Sequence, residues 1–379
     1  MSFFCLKNKN KKYEYNPDGD EGVTTLVSPH IFQNLIDYKN RIDTLEDTKI
    51  WDRSKKYCNM WELIHLPNKK NKKNSIALYD PLSRSYFKLW EMIKTYKLIE
   101  DNSDYTDYKS LSLAEGPGGF VECINNYTKK KGQLFAITLR STNKDIPGWK
   151  KSKKFLNDNQ NITITYGSNN TGNLYDVQNI KSLRDLVGKD CDLITADGGF
   201  DFSCDFNNQE QLSYRIIFCE IVSMMATLKK GGHFVCKIFD IYTEFTAQML
   251  WILCENFEEV HITKPFTSRP ANSEKYIICK NYYGISDERL NKYYDIVENW
   301  TDDASLGISV PGSFFKALCE YNDTITELQR VNIKKTLEII ENQDNPVLTD
   351  TLILKQRNHA VEWCHKFDIT INKDSEFLK

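Results

Sequence analysis

The chain has 379 residues and carries 50 lysines and arginines against 52 aspartates and glutamates, which gives a formal net charge of -2 and a pI near 6.4. This balance excludes a protein that is basic overall, so a nucleic-acid site would have to be a local patch. The 11 cysteines include no C-x-x-C pair and no Cys/His cluster at zinc spacing. We therefore expect reduced thiols, no metal centre and a cytoplasmic location. No apolar run approaches the ~20 residues that span a bilayer, so we expect a soluble protein without a membrane anchor.

Residues 1–80 are polar and rich in lysine and asparagine, a composition that fits an A/T-rich genome such as that of a cytoplasmic virus or parasite. The lysines of two basic clusters in this region are Lys55, Lys56, Lys69, Lys70, Lys72 and Lys73. They are interpreted either as solvated loops or as the phosphate-contacting edge of an RNA groove. Trp51, Tyr57 and Trp61 lie among these charges, and core packing and base stacking are both open for them.

The stretch from Leu82 to Ile99 is predicted to be a helix, because its apolar residues recur at helical spacing. These apolar residues are Tyr86, Phe87, Leu89, Trp90, Ile93 and Tyr96. Lys88 therefore lies on a helix.

The stretch from Leu111 to Ile124 reads L-S-L-A-E-G-P-G-G-F-V-E-C-I. An apolar strand reaches Glu115, stops at the glycine-rich turn 116–119 and is followed by apolar residues at helical spacing. Glycines let a backbone approach a ligand closely, and the amino end of a helix offers unpaired N–H groups to an anion. Such a turn can also merely join a strand to a helix, so it indicates a nucleotide-like ligand only together with other features.

Strand-like apolar runs then recur at regular intervals, at 133–139, 162–166, 191–196, 233–239, 260–263 and 276–279. Helices are expected between them, including one that starts at Asn207 or Asn208, runs to Leu228 and is ended by Gly231 and Gly232. Another is expected over residues 243–254. Alternating strands and helices predict a doubly wound, mostly parallel sheet of seven strands that ends in an antiparallel hairpin. Its ligand is expected at the carboxyl ends of the early strands.

The remaining chain is predicted to form three helices, over 287–300, 323–342 and 352–366. No motif in this part connects to chemistry, and we expect it to serve packing or partner contact.

Four polar residues lie at the edges of these predicted elements. Asp197 follows the apolar run L-I-T-A, and Glu274 precedes the last strand. Lys237 lies within the apolar strand H-F-V-C-K-I-F-D, where a lysine is costly unless it is paired or functional. With Lys88 they make two lysines and two carboxylates. Each alone is readily explained as a structural ion pair, whereas all four at the edges of one sheet indicate a site.

Five ordered segments, S-R-S-Y-F-K-L, A-E-G-P-G-G-F, A-D-G-G-F, G-G-H-F-V-C-K-I-F-D and S-R-P-A-N-S-E-K-Y, closely resemble the FtsJ-like ribose 2′-O-methyltransferases. The similarity is strongest to the eukaryotic and viral enzymes that methylate the mRNA cap. It implies a Rossmann-like, S-adenosylmethionine-dependent methyltransferase domain over 81–284. Residues 1–80 would be an N-terminal extension that contacts RNA or the cap, and residues 285–379 a helical C-terminal appendage.

The resemblance also implies site residues. The family's K-D-K-E tetrad falls on Lys88, Asp197, Lys237 and Glu274. The methyl donor S-adenosylmethionine would contact Glu115, Gly116, Pro117, Gly118, Gly119, Phe120, Leu139, Asn173, Leu174 and Asp197. The chain departs from its relatives at Asn173, where the adenine-contacting residue is acidic. Asn207 and Glu274 match substrate-contacting positions. The expected partner is the single-stranded 5′ end of capped RNA, together with other capping or transcription proteins.

The reaction implied by the resemblance needs a group that handles the proton of a ribose hydroxyl. Lysine can be the base only when neutral. Burial and the charge of Lys88 lower the pKa of Lys237, whereas Asp197 and Glu274 raise it, and the sequence does not decide between these effects. A charged Lys237 would instead orient the hydroxyl, with proton loss coming late.

Several alternatives stay open beside methylation of the first transcribed nucleotide. The chain could act on ribosomal or transfer RNA, or on the second cap nucleotide. It could also be an inactive RNA-binding subunit, although a complete tetrad argues against this. A nicotinamide dehydrogenase is disfavoured, because the turn lacks the G-x-G-x-x-G pattern.

Overall fold

A computed structural model describes residues 2–14, 25–45, 48–66, 74–101, 103–143, 146–199, 208–301, 305–342 and 345–379. The strands are β1 (Ser2–Lys7), β2 (Lys109–Leu113), β3 (Gln133–Ile137), β4 (Ile162–Thr165), β5 (Cys191–Ala196), β6 (Leu228–Ile238), β7 (Phe257–Lys264) and β8 (Lys275–Tyr282). They form one sheet in the order β1-β7-β8-β6-β5-β2-β3-β4.

The helices are α1 (Pro29–Asp43), α2 (Thr48–Ser54), α3 (Ser85–Tyr96), α4 (Gly119–Tyr127), α5 (Lys153–Asn157), α6 (Val177–Val187), α7 (Gln209–Thr227), α8 (Glu244–Asn256), α9 (Asp287–Glu298), α10 (Gly312–Glu341) and α11 (Pro346–Lys366). Of the helices in the described ranges, none combines the length and apolar character that crossing a membrane requires.

The central strands β6, β5, β2, β3 and β4 run parallel to one another, so their carboxyl ends share one edge of the sheet. β8 lies antiparallel between β6 and β7. The predicted Rossmann-like fold and its closing hairpin are thus confirmed. A connection as short as the one between β7 and β8 suits antiparallel pairing, because a parallel crossover needs a dozen or more residues.

The predicted count of seven strands was wrong, because residues 2–7 form an eighth strand that pairs antiparallel with β7. Leu6 in this strand is fully buried. The run F-F-C-L-K is short and lies in an otherwise polar region, where period-two alternation over so few residues gives little signal. The pairing edge offered by β7, rather than local sequence, orders it.

Helix α7 ends at Thr227, and β6 begins directly at Leu228. Gly231 and Gly232 therefore lie inside the strand and do not end the helix as predicted. Helices α10 and α11 begin earlier than expected from the pattern of their apolar residues.

The core consists of two main clusters of buried side chains on opposite faces of the sheet. Along β6, Phe234 and Cys236 belong to one cluster and Val235 belongs to the other, as alternation along a strand requires. Both chain ends contribute: Leu6 and Phe314 enter the first cluster, and the α11 residues Ala360, Trp363 and Cys364 enter the second. The regions outside 81–284 therefore share the core of the central sheet.

Candidate active site

The first part of the site is a lysine–aspartate pair at the carboxyl edge of the sheet. Asp197 directly follows β5, and Lys237 is the penultimate residue of the neighbouring strand β6. The Lys237 ammonium donates a hydrogen bond to the Asp197 main-chain oxygen at 2.8 Å and lies 3.3 Å from the carboxylate Oδ1. The parallel register of β5 and β6 brings the two residues together.

The second part is a lysine–glutamate pair beside the first. Lys88 of α3 donates to both carboxylate oxygens of Glu274, at 2.7 and 2.9 Å. Across the antiparallel β6–β8 pair, Lys237 lies opposite Tyr276. Glu274 precedes Tyr276 by two residues, so it continues the same face of the strand toward Lys237. Lys88 and Glu274, from distant parts of the chain, thereby lie beside Asp197 and Lys237.

The side chains of all four residues are between 13% and 17% exposed. They are therefore mostly buried but still reachable from solvent. The structure brings together the four residues predicted from the sequence, and we call them the tetrad: Lys88, Asp197, Lys237 and Glu274.

The structure gives the direction of the pKa shift of Lys237, which the sequence left open. Burial lowers the pKa of Lys237, but the nearby carboxylates of Asp197 and Glu274 raise it more, so the pKa of Lys237 lies above that of a free lysine. Burial raises the pKa of Glu274, yet Lys88, Lys237 and Lys264 together lower it to about 2. Near neutral pH the unliganded tetrad therefore contains a charged Lys237 and an ionised Glu274.

Three further residues hold the tetrad, and none of them was predicted. The Tyr276 hydroxyl donates to Asp197 Oδ1 at 3.0 Å, and the Ser268 hydroxyl donates to Glu274 Oε1 at 2.8 Å. Lys264, at the end of β7, donates to the main-chain oxygen of Glu274 at 2.6 Å. Lys264 carried little signal in the sequence, because its strand, F-E-E-V-H-I-T-K, contains other polar residues, unlike the apolar run around Lys237.

Lys264 fastens the loop that presents Glu274. Besides Glu274, its ammonium donates to the main-chain oxygen of Asn272 at 2.9 Å and to the Asn272 side-chain oxygen at 2.6 Å. Burial lowers the pKa of Lys264 to about 7, with further lowering by Lys275 and Lys88 and opposition from Glu274 and Asp240. Three hydrogen bonds from a single buried group fix the backbone on which Glu274 sits.

The glycine-rich loop, residues 115–119, lies at the same edge, between β2 and α4. Gly118 has φ +109°, a conformation that side chains with a Cβ rarely adopt. At Gly119 a Cβ would lie 2.1 Å from the Ser85 hydroxyl, so this position cannot accommodate a side chain without a shift. Both observations explain why the turn consists of glycines.

Glu115 anchors this loop and leaves one oxygen free. Its Oε1 accepts a hydrogen bond from the Phe120 N–H at 2.6 Å. Its Oε2 is buried and has no hydrogen-bond partner among the described residues. Burial raises the pKa of Glu115 well above its usual value, and the charge of Asp197 adds to this effect. A buried oxygen without a partner suits a ligand that brings a donor group.

The other predicted donor contacts follow β3 and β4. Leu139 is 41% exposed, so its apolar surface is available to a ligand. The side-chain oxygen of Asn173 accepts from the Tyr175 N–H at 3.0 Å. An amide oxygen has a second lone pair, so Asn173 can still accept from an adenine amino group. Leu174 is buried beside it. The predicted donor residues therefore offer a free carboxyl oxygen, an amide oxygen and exposed apolar surface, which suit a ligand with amino groups and an apolar face.

Several predicted substrate contacts, Asn207, Lys69, Lys70, Lys72 and Lys73, lie outside the described residues. Of the upstream lysines, Lys55 pairs with Asp52 at 2.5 Å, and Lys56 is exposed. Trp51 packs on the small cluster between α1 and α10, which favours the core-packing interpretation for it. Tyr57 and Trp61 line a cavity of about 880 Å³, and Trp61 also packs against the second core cluster.

Known proteins are similar to this chain over the region that contains the site. The model of the FtsJ-like methyltransferase family matches residues 81–282. The cap-specific mRNA (nucleoside-2′-O-)-methyltransferase 1 of Drosophila melanogaster is 26% identical over 346 residues, which are 85% of this chain and 42% of that protein. The protein of the same name from Mus musculus is 33% identical over 226 residues, 56% of this chain and 26% of that protein.

A further relative, from Caenorhabditis briggsae, is named an inactive cap-specific mRNA (nucleoside-2′-O-)-methyltransferase 1B and is 29% identical over 257 residues, 61% of this chain and 29% of that protein. The chain therefore spans less than half of the length of these relatives. Among solved structures, a putative ribosomal RNA methyltransferase from Plasmodium falciparum overlaps with a TM-score of 0.37 at 21% identity, over 54% of this chain and 99% of that one.

The family match runs from before Lys88 to the end of β8. It thus includes the glycine-rich loop and all four residues of the tetrad. The resemblance first seen in five short motifs is confirmed over more than half of the sequence. The chain belongs to the FtsJ-like methyltransferase family.

Proposed function

We propose that the chain transfers a methyl group from S-adenosylmethionine to the ribose 2′-hydroxyl of the first transcribed nucleotide of capped RNA. The observation that carries the proposal is the tetrad, in which two lysines and two carboxylates meet beside the glycine-rich loop. The names of the relatives support capped RNA as the substrate. Free thiols at the ten described cysteines suit the proposed cytoplasmic location.

When bound, S-adenosylmethionine supplies an electrophilic methyl group on a sulfonium centre. Glu115, Leu139 and Asn173 would hold this donor at the carboxyl edge, through the free carboxyl oxygen, the exposed apolar surface and the amide oxygen described above. Along the carboxyl edge of the sheet, Asp197 lies between these donor-holding residues and Lys237. The donor and the hydroxyl would therefore meet above β5.

Lys237 orients the hydroxyl rather than removing its proton at the start. A charged ammonium cannot accept a proton, but its N–H can donate to the hydroxyl oxygen and point a lone pair at the methyl group. Asp197 and Glu274 keep Lys237 charged, and Lys88 fixes Glu274. The hydroxyl proton then leaves late, when bond formation has made the oxygen acidic, and it passes to solvent water, which reaches the partly exposed tetrad.

The test uses a labelled donor with short capped and uncapped RNAs of the same sequence, followed by nuclease mapping of the product. We expect label on the ribose of the first nucleotide of the capped RNA only. Label on a base, on the second nucleotide or on protein would contradict the proposal. Absence of transfer, with intact donor and RNA binding, would instead place the chain with the relative that is named inactive.

Lys264→Met should lower kcat of methyl transfer by about 10- to 100-fold with little change in donor affinity. The substitution removes three donors and leaves the oxygens of Asn272 and Glu274 unpaired, and a lost buried bond to a charged group costs about 1.5–3 kcal/mol. Steady-state kinetics and calorimetry with the donor measure the two effects separately.

The matched control is Lys7→Met. Lys7 is also a partly buried lysine, but its ammonium donates to the main-chain oxygens of Cys254 and Phe257, near the start of β7 and away from Glu274. If both variants, assayed where both are folded, lose the same factor in kcat, Lys264 has no special role in positioning Glu274. The pH profile adds a second check, because neutral Lys264 has only two N–H donors for three acceptors. The wild-type kcat should therefore fall as the pH rises through about 7, because Lys264 then loses one of its hydrogen bonds to the loop that presents Glu274.

A further inference from the structure

A cavity of about 690 Å³ opens between the end of β3 and helix α5. Four cations line it, Arg140, Lys150, Lys151 and Lys153, and we call this site the basic pocket. Among the described residues that line it there is no carboxylate. The site is thus strongly positive although the whole chain has a formal net charge of -2.

Residues in the described ranges do not neutralise the four charges of the basic pocket. Within the described ranges none of them forms an ion pair, whereas Lys109, on the opposite edge of the sheet, pairs with Asp190 at 2.7 Å. The Arg140 guanidinium lies over the Tyr166 ring, 5.3 Å from its centroid, and both residues line the pocket. All four side chains are exposed, so solvent screens their mutual repulsion, but together they give the cavity a positive potential that favours an anionic ligand.

The segment that carries these lysines is fixed in place. The Ser152 hydroxyl donates to the Pro117 main-chain oxygen. The Trp149 ring lies 3.1 Å from the position that a Cβ on Gly118 would occupy. Lys150, Lys151 and Lys153 are therefore held against the glycine-rich loop rather than on a free surface loop.

The methyl donor does not account for this charge. The basic pocket shares Pro117 and Leu139 with the predicted donor residues, but Asn173, Leu174 and Asp197 do not line it. S-adenosylmethionine carries a sulfonium and an ammonium group against a single carboxylate, so it is a net cation. Four further cations would disfavour its binding, which indicates a second ligand of opposite charge.

We propose that the basic pocket binds phosphate groups of the RNA strand whose ribose is methylated at the tetrad. This proposal rests on the proposed function, which brings a polyanion to this edge of the sheet. β3 is separated from β6 by β5 and β2, so the pocket lies about 15 Å along the edge from Lys237, at ~4.8 Å per strand. A flexible single strand can cover this distance, and arginine and lysine are the usual phosphate ligands.

The test replaces Lys150, Lys151 and Lys153 together by serine and measures the RNA dissociation constant as a function of salt concentration. Each lost phosphate contact on a single strand reduces the slope of log Kd against log salt by about 0.7, so the triple variant should lose about 2. Donor affinity should be unchanged. The single variant Lys151→Ser should lose about 0.7, and it serves if the triple variant does not fold.

The matched control removes the same charge elsewhere. Lys129, Lys130 and Lys131 are exposed and precede β3, so they lie at the amino end of the strand whose carboxyl end borders the basic pocket. Replacing these three by serine should leave the RNA salt slope near that of wild type. Equal slopes for wild type and the Lys150/Lys151/Lys153 variant would overturn the proposal.

Two further measurements distinguish RNA phosphates from a free phosphate ligand, and the proposed phosphate site from the proposed function. If inorganic pyrophosphate or GTP binds in a way that depends on these lysines while RNA affinity does not, the site takes a free phosphate ligand and the RNA assignment is wrong. Lysine-dependent RNA binding without methyl transfer would remove the proposed function and retain the site. Methyl transfer combined with an unchanged salt slope in the Lys150/Lys151/Lys153 variant would retain the proposed function and remove the phosphate site.

Discussion

Lys237→Ala is expected to reduce methyl transfer by at least about 10²- to 10⁴-fold while the donor dissociation constant stays within a few-fold of wild type. The Lys237 ammonium contacts Asp197 and faces the carboxyl edge where the hydroxyl would lie. In the described ranges it forms no hydrogen bond to the glycine-rich loop, and it acts on the loop only through its charge, which lowers the pKa of Glu115. Its loss therefore removes orientation of the nucleophile and leaves the hydrogen bonds of the donor loop in place. Turnover with saturating capped RNA, together with calorimetry of the donor, separates these effects.

Lys229→Ala is the appropriate control for this variant, because Lys229 lies in the same strand and also pairs with an aspartate, Asp192, near the opposite edge. Its turnover should remain near wild type. Thermal unfolding of both variants shows whether the buried Asp197 carboxylate, left without its lysine, weakens the fold. Turnover of Lys237→Ala within a few-fold of wild type, in a folded protein, would refute the assigned role.

Gly118→Val is expected to weaken binding of S-adenosylmethionine by about 10- to 100-fold. A β-branched residue at φ +109° costs about 1–3 kcal/mol, and its Cβ would lie 3.1 Å from the Trp149 ring. Relief of this strain moves the loop, the Trp149 segment or both away from the geometry that would receive the donor. Calorimetry with the donor measures the loss directly.

Gly231→Val controls for backbone strain alone. Gly231 also has a positive φ, +79°, but a Cβ there meets nothing within 4 Å, and the residue lies near the start of β6. It should lower the unfolding temperature without changing donor affinity. Unchanged donor affinity in folded Gly118→Val would show that the glycine-rich loop is only a structural turn.

Local sequence was sufficient for the central sheet, and together with the family motifs it identified the tetrad. The strands of a parallel sheet are buried on both faces, so each appears as an unbroken apolar run between glycines and polar turns. A charged residue inside or directly after such a run stands out, which is how Asp197 and Lys237 were found. Glu274 before the last strand and Lys88 on the predicted helix were also noted at element edges, but each alone is readily explained as a structural ion pair, and the family motifs gave them their roles in the tetrad.

Strand β1 and the residues that hold the tetrad depended on tertiary structure. Residues 2–7 are ordered by the free edge of β7, and a strand defined by its partner leaves little trace in six residues. Tyr276 and Ser268 are common residue types whose roles arise only from the distances to Asp197 and Glu274. No periodicity in the sequence encodes such contacts.

The charge of Lys237 shows most clearly which properties the sequence determined and which the tertiary structure decided. The sequence by itself determined that a lysine, two carboxylates and a second lysine share one edge of the sheet, because strand order and motif spacing fix their places. It did not determine the sign of the pKa shift, because burial and Coulomb interactions act in opposite directions and each depends steeply on distance and exposure. Only the folded arrangement, with Asp197 Oδ1 at 3.3 Å and Glu274 directly before the adjoining strand, decided that the carboxylates outweigh burial and keep Lys237 charged.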